Sequence, residues 1–494
     1  MKTSGDKNFV IFKVIKRLGR IIATMFAGVV ITLFVVAVIF MNSQPDLYGW
    51  HTEALDEEFT VDSQVKSFED YLDLEDSLFA QLDEKVYADT RPEERHLINR
   101  YNRGSLSDPA RWPTNWNRSF ELTGAQTVAG VLLLHGMSDS PYSLRHLGER
   151  LSVSGAHVLG LRIPGHGTAP SGLVNVKWKD MAAAVNLAMH HLREALGDRP
   201  LYIVGYSNGG ALAVQYILSA LENTSLPRAS GVVLISPEIG VAKVAALAIW
   251  QSRIGRLLGL PKLAWNSVLP EYDPFKYNSF AVNAGNQAYR LTTEIQNQIT
   301  RNTKSGVLSQ LPPIMAFQSV VDATVRAPAL IEGLFDRLPR GDHELVLFDI
   351  NRLAANEPLV DTGPRDVIAA LLDKPILSYR LAIVSNESAS SRKVVVYQRY
   401  TESSEKTVFP LSLAWPAEVY SLSHVALPFA PDDPLYGGGD AEKSPGIQIG
   451  NVVLRGEKGV LRVNPASLLR LHWNPFYDYL EQRVLQFMAL RGSE

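Results

Sequence analysis

Gly205-Tyr206-Ser207-Asn208-Gly209 fits the pattern G-x-S-x-G. A serine hydroxyl is a weak nucleophile until a sharp turn lifts it clear of the backbone beside a base. The flanks suit such a turn: 201–204 (LYIV) reads as a buried strand, and 210–213 (GALA) opens a helix. Gly205 and Gly209 leave room where a Cβ would crowd a tight bend, and a helix N-terminus favours negative charge developing beside the serine. Taken alone, the five residues describe any Gly-rich turn; the strand before and the helix after favour Ser207 as a nucleophile. His135-Gly136-Met137 follows another apolar run, 129–134 (AGVLLL). A loop at that place in a parallel sheet donates a backbone N–H to a developing oxyanion. The N–H groups of Met137 and Asn208 are therefore the candidate pair, and losing one such donor typically costs about a hundredfold in rate or more. His135 precedes the serine and is read as structural.

A Ser-based triad on such a sheet runs Ser, then Asp or Glu, then His. Residues 313–319 (PIMAFQS) read as a strand leading into Val320-Val321-Asp322. An aspartate just past a strand end can orient an imidazole, although Asp also caps turns. Asp322 is the first candidate, and Asp349, after the strand 344–348, the second. Downstream stand His343, His424 and His472. His343 opens a strand and reads as a surface residue; His472 precedes the final helix and reads as packing or capping. His424, in the small-residue loop 421–429 (SLSHVALPF), is free to point into a cleft and is the preferred base, with His472 second. No His/Asp/Glu group shows ligand spacing such as H-E-x-x-H, which argues against metal ligation.

Strands and helices must position these groups. Apolar strand runs at 129–134, 157–163, 201–204 and 231–235 alternate with helical patterns beginning near Ser140-Pro141, at 178–196 and at 210–221. That order predicts a mainly parallel sheet with helices on both faces, and ligands bind beyond the carboxyl ends of such strands. Ahead of it, 21–41 (IIATMFAGVVITLFVVAVIFM) runs uncharged, long enough to cross a bilayer as a helix of about 20 residues. Lys13, Lys16, Arg17 and Arg20 precede it, and Asp46, Glu53, Asp56, Glu57 and Glu58 follow. The positive-inside rule keeps residues 1–20 cytoplasmic and the rest on the far side, the periplasmic face in a bacterium. A cleavable signal peptide is the alternative, but its apolar core normally runs roughly 7–15 residues. Residues 42–117 read as an acidic helical spacer, with an amphipathic helix over 61–86. The net charge of −3 and absence of a basic tract beyond the N-terminus argue against a nucleic-acid partner. With no cysteine in the chain, disulfides, thiolate metal sites and a Cys nucleophile are excluded.

LLLHGMSDSPYSLRHLGERL (132–151), LRIPGHGT (161–168), GYSNGG (205–210) and VVDATV (320–325) together resemble the monoacylglycerol lipase, esterase and serine aminopeptidase-like branch of the α/β-hydrolases. The resemblance covers roughly 120–325 and resumes at 421–429. It implies an α/β-hydrolase fold over 118–494, a Ser207–Asp322–His424 triad, and hydrolysis of small acyl or lipid esters without metal or cofactor. His166, in Pro-Gly-His-Gly, would be structural or cleft-lining. The chain departs from the pattern in its anchor and spacer, and in the hundred or so residues between Asp322 and His424. That stretch, about 350–420, predicts a helix at 364–372 and a hairpin of 376–384 with 393–400, expected either to cover the cleft or to bind a partner. Residues 238–310 fall where such folds insert a cap. Residues 241–250, Leu257-Leu258, Trp265 and 272–275 make that cap apolar and aromatic, which suits an acyl chain, since each buried CH₂ contributes about 0.8 kcal/mol. The expected protein is a membrane-anchored serine esterase acting on acyl or lipid-derived esters. The alternatives are a peptidase or acyltransferase using the same triad, and a non-catalytic binding protein.

Overall fold

The computed structural model describes residues 5–43, 45–124, 126–240, 260–353, 363–439, 444–450, 457, 460–461 and 464–490. In chain order the strands are β1 (Phe120–Thr123), β2 (Ala129–Leu134), β3 (Ala156–Leu161), β4 (Leu201–Tyr206), β5 (Gly231–Ile235), the short β6 (Trp265–Ser267) and β7 (Phe280–Ala281), β8 (Ile314–Ser319), β9 (Glu344–Phe348), β10 (Arg380–Asn386), β11 (Lys393–Arg399) and β12 (Lys406–Ala414). Ten of them form one sheet in the order β1-β3-β2-β4-β5-β8-β9-β10-β11-β12. From β3 to β10 every neighbouring pair is parallel; β1, β11 and β12 run antiparallel to their neighbours.

The central strands are unbroken apolar runs because both faces of the sheet are covered. Leu132, Ile203, Leu234, Ala316 and Leu347 point to one core with helices Trp178–Leu196, Asn208–Glu222 and Val282–Ser305. Their neighbours Leu133, Val204, Val233, Phe317 and Phe348 point to the other, under helices Arg145–Val153 and Tyr477–Phe487. Side chains alternate faces along a strand, so one run fills two cores.

The helix and hairpin expected near 364–400 are present as Gly363–Asp373, β10 and β11, and the hairpin lies within the sheet rather than over the cleft. β10 adds parallel to β9, so the insertion widens the sheet. β12 has no counterpart in the sequence reading. It is an edge strand carrying Pro410, and proline within a run argues against an interior strand.

The 42–117 segment, expected as a spacer, is packed against the domain where it is described. Phe59, Phe68 and Tyr71 join the larger core. The Tyr71 hydroxyl donates to the Arg162 carbonyl at 2.5 Å. Arg162, 1 % exposed, pairs with Glu58 at 3.0 Å and Glu75 at 3.1 Å. The helix expected over 61–86 starts later, as Phe68–Leu82 followed by a π turn over Asp83–Tyr87, and is capped by Ser67, whose side chain accepts from the Asp70 N–H. Glu75→Ala leaves the Arg162 Nε–H and the Ser119 N–H and hydroxyl without their acceptor. It should lower unfolding free energy by about 3 kcal/mol, read as a reduced denaturant midpoint. An unchanged midpoint would mean that this pair holds nothing together.

The N-terminal helix runs Gly5–Ser43. Within it Phe12–Ile39 is the one helix among the described residues long and apolar enough to cross a membrane, and none of it is buried in the fold.

Candidate active site

β4 ends at Tyr206 and the helix begins at Asn208, leaving Ser207 alone at the bend with φ +53° and ψ −117°. Non-glycine residues rarely adopt positive φ, so the fold holds this one there. The Ser207 N–H donates to the Ile235 carbonyl at 3.0 Å, and its own carbonyl accepts from Gly210 and Glu238, each at 3.0 Å. The glycines answer the crowding. A Cβ on Gly209 would run into the Leu134 carbonyl, and one on Gly205 would lie 2.5 Å from the Gly209 oxygen.

The Ser207 hydroxyl lies 3.1 Å from His424 Nε2, and His424 Nδ1 lies 2.7 Å from Asp322 Oδ2. Asp322 Oδ1 accepts from the Thr324 and Val325 N–H groups at 2.8 Å each, so the loop after β8 wraps its own carboxylate. Burial works to raise the Asp322 pKa, but the adjacent imidazole and these donors outweigh it and hold the carboxyl below its ordinary value. His424 opens a single helical turn, His424–Ala426. Its loop is tied down from several sides. The Ser319 hydroxyl donates to the Leu422 carbonyl at 2.8 Å, Ser423 to Leu471, and the Asn351 N–H to the Tyr420 carbonyl at 2.8 Å.

Met137 lies in the loop after β2, beside the bend: a Cβ on Gly136 would come within 3.2 Å of Ser207 Cβ. Neither the Met137 nor the Asn208 N–H donates to an acceptor among the described residues. The loop is pinned by Tyr277, whose N–H reaches the Ser138 carbonyl at 2.8 Å, and by Lys276 against Asp139 at 3.0 Å.

The other candidates lie elsewhere. Asp349 accepts from Ser385 at 2.6 Å and pairs with Arg352, joining the ends of β9 and β10. His472 stacks on Tyr436 with ring centres 6.4 Å apart, and burial pulls its pKa to about 4. His343, expected at the surface, is buried, accepts from the Ile314 N–H at 3.2 Å and is likewise pulled to about 4. It lies where β8 and β9 begin side by side, and neighbouring strands cover it. His135 Nε2 accepts from the Ile163 N–H at 3.0 Å and its Nδ1–H donates to the Gly136 carbonyl at 2.9 Å; burial, then His166, holds it far below its usual pKa. His166 is fully buried, its Nδ1–H donating to the Pro164 carbonyl at 2.9 Å, and burial lowers it to about 4.

Of the cap residues read as an acyl wall, 241–250, Leu257 and Leu258 lie outside the described residues. Trp265 is instead packed into the main core, and Phe275 stacks on Tyr142 at 4.3 Å. Both are consumed by packing.

Gln318 escaped the sequence reading. Its Nε2 donates to Asp322 Oδ2 at 2.9 Å and to the Val325 carbonyl at 2.8 Å, bracing the carboxylate and its loop. Its signal was there: a polar residue inside the wholly buried run of β8.

The family model for serine aminopeptidase, S33, matches residues 125–350, a span that contains Ser207 and Asp322 but not His424. A thermostable monoacylglycerol lipase from Bacillus sp. (strain H-257) is 30% identical over 117 residues, 24% of this chain and 44% of that protein. Phospholipase YtpA from Bacillus subtilis (strain 168) is 25% identical over 144 residues, 29% of this chain and 50% of that protein. The chain thus spans about half the length of the curated relatives it matches. Among solved structures, a monoacylglycerol lipase from Paleococcus ferrophilus aligns at 18% identity and TM-score 0.35, over 47% of this chain and 87% of that one. The parallel sheet and the bend after β4 are those of an α/β-hydrolase fold, and the sequence matches support its monoacylglycerol lipase and esterase-like branch.

Proposed function

We propose that this protein is a serine hydrolase cleaving carboxylic esters through Ser207, His424 and Asp322. The observation that carries the reading is the unbroken line from the Ser207 hydroxyl through both nitrogens of His424 to Asp322. His424 Nε2 takes the Ser207 proton as Oγ attacks the ester carbonyl; Asp322 keeps Nδ1 protonated and balances the imidazolium. The oxyanion forms beside the Met137 and Asn208 N–H groups. Collapse expels the alcohol, which takes the proton from Nε2 and leaves an acyl-serine. Water then attacks, gives its proton to the same nitrogen, and the carboxylic acid leaves as Ser207 regains its proton.

Two relatives are named a monoacylglycerol lipase and a phospholipase, which favours lipid-derived acyl esters as substrates. The apolar helix Phe12–Ile39 fits a membrane tether. Basic residues before it and acidic ones after it favour a cytoplasmic N-terminus, with the hydrolase domain across the bilayer. We assign 1–20 to the cytoplasm, 21–41 to the span and 118–494 to the hydrolase domain.

Purified full-length protein should label on Ser207 with a fluorophosphonate and turn over p-nitrophenyl esters faster than aminoacyl anilides. Folded protein that takes no label would leave a binding protein. Preference for the anilides would favour the peptidase reading, which the name of the matching family model also suggests.

A further inference from the structure

We infer that the apolar groove where the N-terminal helix meets the domain binds an acyl chain of a bilayer lipid, giving the protein a second hold on the membrane. The proposal rests on the reading of Phe12–Ile39 as membrane-spanning. The groove, about 200 Å³, is walled by Pro45, Tyr48, Ile98, Val268, Leu269 and Pro270, among others. Three separate stretches of chain supply these walls, and each is fastened. The Arg100 N–H donates to the Glu271 carbonyl at 2.9 Å, Lys262 pairs with Asp46 at 2.9 Å, and His51 Nε2 meets the Ser279 hydroxyl at 3.0 Å.

Its position names the occupant. Pro45 stands two residues past Ser43, the last residue of the apolar helix, so groove and helix end are at most about 8 Å of chain apart. If that helix crosses a bilayer, the groove sits at the bilayer surface. Neither carboxylate of the wall is left for a polar ligand, because Glu94 is committed to Arg91 and Glu271 to the N–H groups of Asn278 and Ser279, and His96 is the basic lining residue. Leu97 beside the groove and Ile98 in its wall are 68 % and 45 % exposed, next to exposed Arg95 and to His96, which also lines it. An apolar tip with a basic flank is the composition that settles among acyl chains under anionic headgroups.

The chain has no cysteine, so Ile98→Cys creates a unique attachment point for a nitroxide. Leu97→Cys provides a second reporter, and Ser390→Cys, exposed in the turn after β10, is the aqueous control. Full-length protein would be reconstituted into vesicles of phosphatidylcholine and phosphatidylglycerol. Collision of each label with oxygen, which concentrates in lipid, is then compared with collision with a water-soluble nickel chelate. Labels at 97 and 98 should favour oxygen several-fold over the control. Labels that collide with nickel as freely as the control would overturn the proposal, as would labels shielded from both reagents, which would mean a protein partner. Carbonate extraction tests the tether separately. Protein that resists extraction while its labels stay aqueous refutes the groove alone, and fluorophosphonate labelling reports on the catalytic reading independently of either.

Discussion

Ser207→Ala should lower kcat for a p-nitrophenyl ester by about 10⁶-fold, and His424→Ala by a similar factor. The double variant should be no slower than either single one. On the proposed mechanism the hydroxyl and the imidazole, 3.1 Å apart, act as one device. Without the imidazole the hydroxyl keeps its proton; without the hydroxyl the imidazole has nothing to activate. What survives should be the modest acceleration from binding and the backbone donors. Neither change disturbs packing much, since Ser207 is held by its backbone and the His424 loop by Ser319, Ser423 and Asn351. Thermal unfolding should therefore stay close to wild type while turnover collapses. Losses that add up in the double variant would mean the two groups serve different steps, and the proposed mechanism would have to be abandoned.

Asp322→Asn should cost about 10⁴-fold in kcat with the fold intact. Asp322 spends its acceptors fully: Oδ2 on His424 and Gln318, Oδ1 on the two N–H groups of its own loop. An asparagine has one acceptor oxygen. If that oxygen stays with the Thr324 and Val325 N–H groups, the amide NH₂ faces His424 Nδ1 and can only donate to it. The imidazole then carries its proton on Nε2, where it cannot accept the one from Ser207. Steady-state rates with Asp349→Asn alongside decide the assignment, because Asp349 is tied to Ser385 and Arg352 and should tolerate the change far better. If Asp349→Asn were the dead variant and Asp322→Asn the active one, the acid would have to be reassigned.

The bend at Ser207 was legible because it is local: glycines, strand and helix all lie within about ten residues, and each constrains the next. The core was legible for the same reason, since unbroken apolar runs such as 129–134 and 231–235 signal strands covered on both faces. His424 was harder. Its approach to Ser207 depends on where β9 to β12 run, and no periodicity in 350–420 says whether a hairpin joins the sheet or stands over it. The edge strand β12 was hidden by Pro410, and the burial of His343 by strands that pair with its own. Residues 42–117 looked like a spacer because their acids suggested solvent, yet Glu58 and Glu75 are counterions to a guanidinium buried over eighty positions later. Partner identity across such a separation is not written in composition.

The separation between Ser207 and His424 also bears on how the protein comes into being. The two residues lie 217 positions apart, and a chain emerges from the ribosome N-terminus first at about 5–20 residues per second. On the proposed mechanism, a nascent chain already tethered to its bilayer carries the serine for many seconds before the imidazole exists. Six more strands, β5 and β8 to β12, must also be laid against the growing sheet in that interval. On that reading the newborn molecule stays idle until His424 has been made and the strands that carry it to Ser207 have paired.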